Sequence, residues 1–218
     1  MKTSSAFASR RLNLLRLAVL ALTAALPLPS WAAAESRKPD DLVRSVAQDV
    51  LQVAREHRDD TGVDRAAVER IIEEKIAPYF DFNRITRLAT GPDWRQASKE
   101  QRERLVTAFR RMLVRTYSAA YRGYRDIVID VKPADVASGD KEALVRTTVK
   151  LPKNPQPLPI DYSMLLTPEG WKVYDVAVEG VSLVTTYRSS FRERIRTDGI
   201  DGLIDFLENG QGTLPKTR

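Results

Sequence analysis

Few residues of this chain have the type and spacing that catalysis requires. Its 218 residues include one histidine, His57, and no cysteine. His57 lies in the polar run HRDDTG. It could serve as a general base there, but a lone His in a polar loop is more often a solvated side chain. Asp81, Asp130, Asp161 and Asp175 are the carboxylates set closest to apolar sequence. Asp175 is the most suggestive, mid-strand between Tyr174 and Val176. A buried Asp with a raised pKa could act as a base, as in some cone-shaped α+β isomerases. A structural Asp paired with a cation such as Arg188 is the preferred reading. No Gly-rich phosphate loop is present, and GIDG at residues 199–202 is not a Walker pattern. No His/Asp/Glu spacing suggests a metal site. The expectation is therefore a protein with no catalytic residues, no metal and no cofactor.

The positive signal is apolar. Tyr117, Tyr121, Tyr124, Tyr162, Tyr174 and Tyr187 cluster in and around the segments read below as a sheet and its flanking helices. Tyrosines so placed serve as core, or line a cavity mouth where one end is apolar and the other wet.

The elements that must position these residues follow an N-terminal leader. Residues 1–34 have the pattern of a cleaved secretory signal: a positive start, an apolar run at residues 17–26 too short to span a bilayer, and Ala32-Ala33-Ala34 as the cleavage site. The expected mature chain, residues 35–218, is a single exported domain. The full chain carries 35 basic and 29 acidic residues, formally +6. The leader holds Lys2, Arg10, Arg11 and Arg16 and no acid, which leaves 31 basic residues against 29 acidic, or +2. So balanced a domain is a poor partner for nucleic acid. At this length, a core can form without disulfides.

Asp40 is a candidate N-cap for a helix carrying Leu42, Val43, Val46, Val50 and Val53. Asp64 is another, for a helix with Val68, Ile71, Ile72 and Ile76 on one face, interrupted at Pro78. Tyr79, Phe80 and Phe82 follow at once, and Ile85 and Leu88 keep a helical spacing. Ser98 and Gln101 form a capping-box pattern. The long helix they open is expected to reach about Arg122, roughly 36 Å. Leu105, Val106, Phe109, Met112, Leu113, Thr116, Tyr117 and Ala120 form its apolar stripe. Arg104, Arg110, Arg111 and Arg115 lie mostly off it, as a solvated face more readily than a phosphate dock.

After Gly123 the period switches to two. Four strands are expected, around residues 127–132, 143–151, 160–166 and 171–178, with turns at Ser138-Gly139-Asp140 and Pro168-Glu169-Gly170. In the last strand, Lys172, Tyr174, Val176 and Val178 alternate with Trp171, Val173, Asp175 and Ala177. Gly180 breaks this strand. Helical spacing begins at Val181, stops at Gly199, and resumes in a short helix with Leu203, Ile204 and Leu207 on one face. The expected class is α+β: a four-stranded curved antiparallel sheet on a long helix, with an N-terminal helical section and short C-terminal helices.

Two stretches carry a family resemblance. YDVAVEGVSLVTTYRSSF followed by RTDGIDGLIDFL, and upstream APYFDFNRITRLATGPDWRQASKEQRERLVTAF, resemble the MlaC (toluene-tolerance) family of periplasmic phospholipid-transport proteins of Gram-negative bacteria. The resemblance runs from about Asp41 to about Leu207. It implies a monomeric carrier that shuttles phospholipid between outer and inner membranes and maintains outer-membrane lipid asymmetry. Its implied partners are an MlaA–porin complex outside and an MlaFEDB-type transporter inside. A hopanoid carrier, or a small periplasmic enzyme using Asp175 or His57, are the alternatives. With a cavity in mind, Val145 and Val149, Ile160, Tyr162 and Met164, and Tyr174, Val176 and Val178 are expected to converge on Phe109, Leu113 and Tyr117. Val181 is expected at the cavity mouth.

Overall fold

The computed structural model describes residues 37–56, 65–118, 127–152 and 156–209. The expected leader, His57 and its loop, the Asp64 cap, Ala120, Tyr121, Arg122, Gly123, Tyr124 and residues 153–155 lie outside the described residues. The chain opens with α1 (Pro39–Glu56) and α2 (Arg65–Lys75), then a 3₁₀ turn at Ala77–Tyr79. Next come α3 (Phe82–Thr90), a second 3₁₀ turn at Gly91–Arg95, and α4 (Lys99–Ser118). The strands are β1 (Val128–Val131), β2 (Glu142–Lys150), β3 (Leu158–Thr167), β4 (Gly170–Val178) and β5 (Val181–Ser182), and α5 (Leu183–Glu208) follows. The class is α+β, and the sheet is an antiparallel meander in the order β1-β2-β3-β4-β5.

Local chemistry accounts for the boundaries. The capping box forms: Ser98 Oγ accepts from Gln101 N at 3.2 Å, and Gln101 Oε1 accepts from Ser98 N at 3.0 Å. Pro39 rather than Asp40 opens α1, which places Asp40 and Asp41 in the first turn, where the helix dipole favours acids. A fifth strand, β5, joins the four expected. Val181 and Ser182 pair back onto β4 before the helix starts at Leu183. At Gly199 the backbone of α5 leaves helical geometry, with φ 73° and ψ −175°, a conformation that a side chain would resist. The expected break between two C-terminal helices is thus a kink inside one long element.

Burial divides into two clusters. One is helical: Ile85, Leu105, Phe109, Met112, Tyr187, Phe191, Leu203, Ile204 and Leu207 join α3, α4 and α5. Phe109 meets Tyr187 and Phe191 edge-on, at centroid distances of 5.0 and 4.8 Å. The other lies on the sheet: Val131, Val145, Met164, Trp171 and Val173 pack against Leu42 of α1. Each such side chain stabilises by about 1.5–3 kcal/mol when fully buried. Phe80 packs against both clusters. Its segment is fastened to β4, since Asp81 N donates to Val173 O at 2.9 Å.

Candidate functional site

Between the clusters lies a cavity of about 460 Å³, within the range of about 300–1,000 Å³ typical of small-molecule sites. Phe109, Leu113, Thr116 and Tyr117 of α4 form one wall, at the spacing that sets them on one helix face. Phe82 and Ile85 of α3 stand beside them. Val50 of α1, Ile72 of α2, and Ile76, Ala77 and Phe80 close a second side. Leu158, Ile160 and Tyr162 of β3, with Val176 and Val178 of β4, form the sheet wall. Leu183, Val184 and Tyr187 of α5 line a further side.

The sheet wall depends on a β-bulge. Ser163 pairs with Asp175 and Met164 with Val173, so Tyr174 is an extra residue in β4. Cross-strand partners share a face, and the extra residue reverses the parity of the strand beyond it. Trp171 and Val173 therefore share the inner face with Val176 and Val178. Simple alternation had set them on opposite faces. Tyr174 itself packs against the helical cluster, with the Arg84 guanidinium 4.4 Å from its ring centroid.

Seven residues of the anticipated convergence come together on the wall: Phe109, Leu113, Tyr117, Ile160, Tyr162, Val176 and Val178. Five lie elsewhere. Val145 and Met164 are 0% exposed inside the sheet-side cluster. Val149 is buried off the wall, as the partner of Leu158. Tyr174 is the bulge, and Val181 is 47% exposed on β5. Sequence reasoning missed the contributions of α1, α2, α3 and α5. Their apolar stripes were visible, but a stripe shows that a residue is buried, not what it faces.

The wall offers little chemistry. No Lys, Arg or His among the described residues lines it. Thr116 Oγ1 and the Tyr187 hydroxyl both donate to Met112 Sδ, at 3.4 and 3.9 Å. Burial pushes the Tyr187 phenol above its ordinary value near 10, while a hydrogen bond with Tyr117 opposes that shift. Among the described residues Asp175 is the one carboxylate on the wall, and both its oxygens accept hydrogen bonds. Oδ2 accepts from Ser182 Oγ at 2.6 Å, and Oδ1 accepts from Val176 N at 2.9 Å and Val184 N at 3.1 Å. Asp175 is structural, but its partner is not Arg188, whose Nε donates to Leu88 O at 2.8 Å. The basic face of α4 is partly engaged in ion pairs: Arg104 meets Glu208 at 2.9 Å, and Arg110 meets Glu73. Among the described residues, no group of three metal-ligating side chains is assembled, and no helix is long and apolar enough to cross a membrane.

A family model described as MlaC protein matches residues 44–209. The chain belongs to the MlaC family. Among the curated relatives of this MlaC chain is the toluene tolerance protein ttg2D of Pseudomonas putida. It is 27% identical over 208 residues, covering 95% of this chain and 94% of that protein. Among solved structures, the chain is similar to the phospholipid-binding protein of Ralstonia solanacearum, determined in complex with a phospholipid. That match has 33% identity and a TM-score of 0.72, and covers 79% of this chain and 96% of the other.

Proposed function

We propose that this MlaC-family protein is a phospholipid-binding transport protein that holds acyl chains in the cavity between its two clusters. The observation that carries the reading is the cavity wall: among the described residues it is lined almost wholly by apolar side chains, carries no cation, and its one carboxylate is engaged by three hydrogen-bond donors. Each CH₂ buried there contributes about 0.8 kcal/mol, so lipid tails gain enough to leave a membrane only inside such an enclosure. The phosphate head group stays in water, since no Arg or Lys among the described wall residues draws it in. The phospholipid-bound relative from Ralstonia solanacearum supports the same ligand class.

The finer reading rests on the family and on the N-terminal pattern of the sequence. The mature chain, residues 35–218, works in the periplasm as a monomer. It shuttles phospholipid between an MlaA–porin complex at the outer membrane and an MlaFEDB-type transporter at the inner membrane, which maintains outer-membrane lipid asymmetry. It has no catalytic role for His57 or Asp175. Organic extraction of the purified protein, followed by mass spectrometry, tests the ligand. Stoichiometric phospholipid is expected. Hopanoid in its place overturns the choice of lipid, and absence of any lipid with turnover of a hydrophobic substrate overturns the carrier. N-terminal sequencing of the exported protein tests the leader, with Glu35 the expected first residue.

A further inference from the structure

We propose that Asp175 is a positioning residue for the ligand: its carboxylate latches the first turn of α5 to β4 and so holds one wall of the cavity in place. The inference rests on the phospholipid reading of the cavity. Leu183, Val184 and Tyr187 all reach the cavity from the first two turns of α5. Apolar packing of Leu183, Val184 and Tyr187 in the helical cluster, which Tyr174 of β4 also joins, is one tie; the polar ties to the sheet are few. Glu179 and Gly180 reverse the chain with φ values of 51° and 79°, the left-handed geometry of a tight hairpin. The returning strand then pairs at two positions, Ala177 with Ser182 and Val178 with Val181. Beyond that pairing, the Asp175 carboxylate takes over. Oδ2 accepts from the Ser182 hydroxyl, whose oxygen in turn accepts from Thr185 N at 3.0 Å. Oδ1 accepts from Val184 N. Two of the amides that open a helix without intrahelical partners are thereby satisfied, one directly and one through Ser182. The negative charge also sits at the positive end of the helix dipole. This explains a carboxylate on an otherwise apolar wall: a neutral side chain there cannot serve three donors, and an apolar one serves none.

The test uses the purified mature chain, delipidated, and titrated with a fluorescent phosphatidylglycerol. Amide hydrogen exchange is followed in parallel. Asp175→Asn is expected to weaken phospholipid binding by about tenfold or more, as loss of hydrogen bonds to a charged group implies. It should also speed exchange at Val184 and Thr185 while the β2 and β3 amides keep their protection. Ser182→Ala moves both readouts the same way by less. Val131→Ala, in the sheet-side cluster, lowers the unfolding midpoint but keeps wild-type affinity. Unchanged affinity in Asp175→Asn overturns the proposal, as does exchange that rises equally everywhere or an equal loss of affinity in Val131→Ala. If the wild type takes up no phospholipid, the carrier reading fails, and the exchange measurement alone decides whether the latch exists.

Discussion

Val145 and Met164 share one face of the sheet with Ile160 and Tyr162, yet the two pairs meet different surroundings. The first pair is fully buried in a cluster with Leu42, Trp171 and Val173, against which Tyr162 also packs. At the second, the opposing helices stand off and leave the cavity. The two ends are similar in composition, so hydrophobicity alone does not separate core from site. Two structural features do. The N-terminal part of α1 closes over the filled end, where Arg44 reaches Val131 O at 3.5 Å. The bulge at Tyr174 then lets both ends of β4 present apolar residues to the same side. Without it, Asp175 and Ala177 would take the inward positions of Val176 and Val178.

Substitutions at the two ends should therefore part company. Trp171→Ala, at the filled end, is expected to have the largest effect on stability, a loss of about 3–5 kcal/mol. Urea unfolding of the delipidated protein measures this, and phospholipid per folded molecule should stay constant; a fall in lipid content would show that Trp171 belongs to the wall. Met164→Trp overpacks the same end and should lose about 1–3 kcal/mol, again with lipid retained. Val176→Trp is the counterpart at the hollow end. It should exclude lipid while leaving the unfolding midpoint of the delipidated protein nearly unchanged. If Met164→Trp and Val176→Trp behave alike, the division between the ends is wrong.

The bulge is tested by a double-mutant cycle on Arg84→Ala and Tyr174→Ala. A coupling of about 1 kcal/mol is expected from their cation–π contact, and a coupling of zero would remove that contact as a support for the bulge. The smallest effect concerns Tyr187. Burial raises its folded-state pKa, so the unfolded chain loses the phenolic proton first. The stability tied to this proton is fully present below about pH 10 and is lost as pH rises through the folded value. Tyr187→Phe should flatten that alkaline decline, which urea midpoints across the alkaline range would reveal.

Much of the architecture was legible because it is local. The stripe through Leu105, Phe109 and Met112, the Ser98–Gln101 box, the Gly199 break and the period-two strands each arise from neighbours in the chain. The bulge was not legible. Its extra residue appears only in the pairing of β4 with β3, and alternation read along one strand cannot register it. Nor could alternation tell that Asp175 answers Ser182 rather than Arg188, since that depends on where the Glu179–Gly180 turn sends the chain. By itself the sequence determined the order of the elements and which residues turn away from water, because backbone preference and side-chain periodicity are written along the chain. Only the tertiary structure decided which of those residues pack solid and which surround a space. That outcome depends on how closely α1 and α4 approach the sheet, a distance set by side chains far apart in sequence.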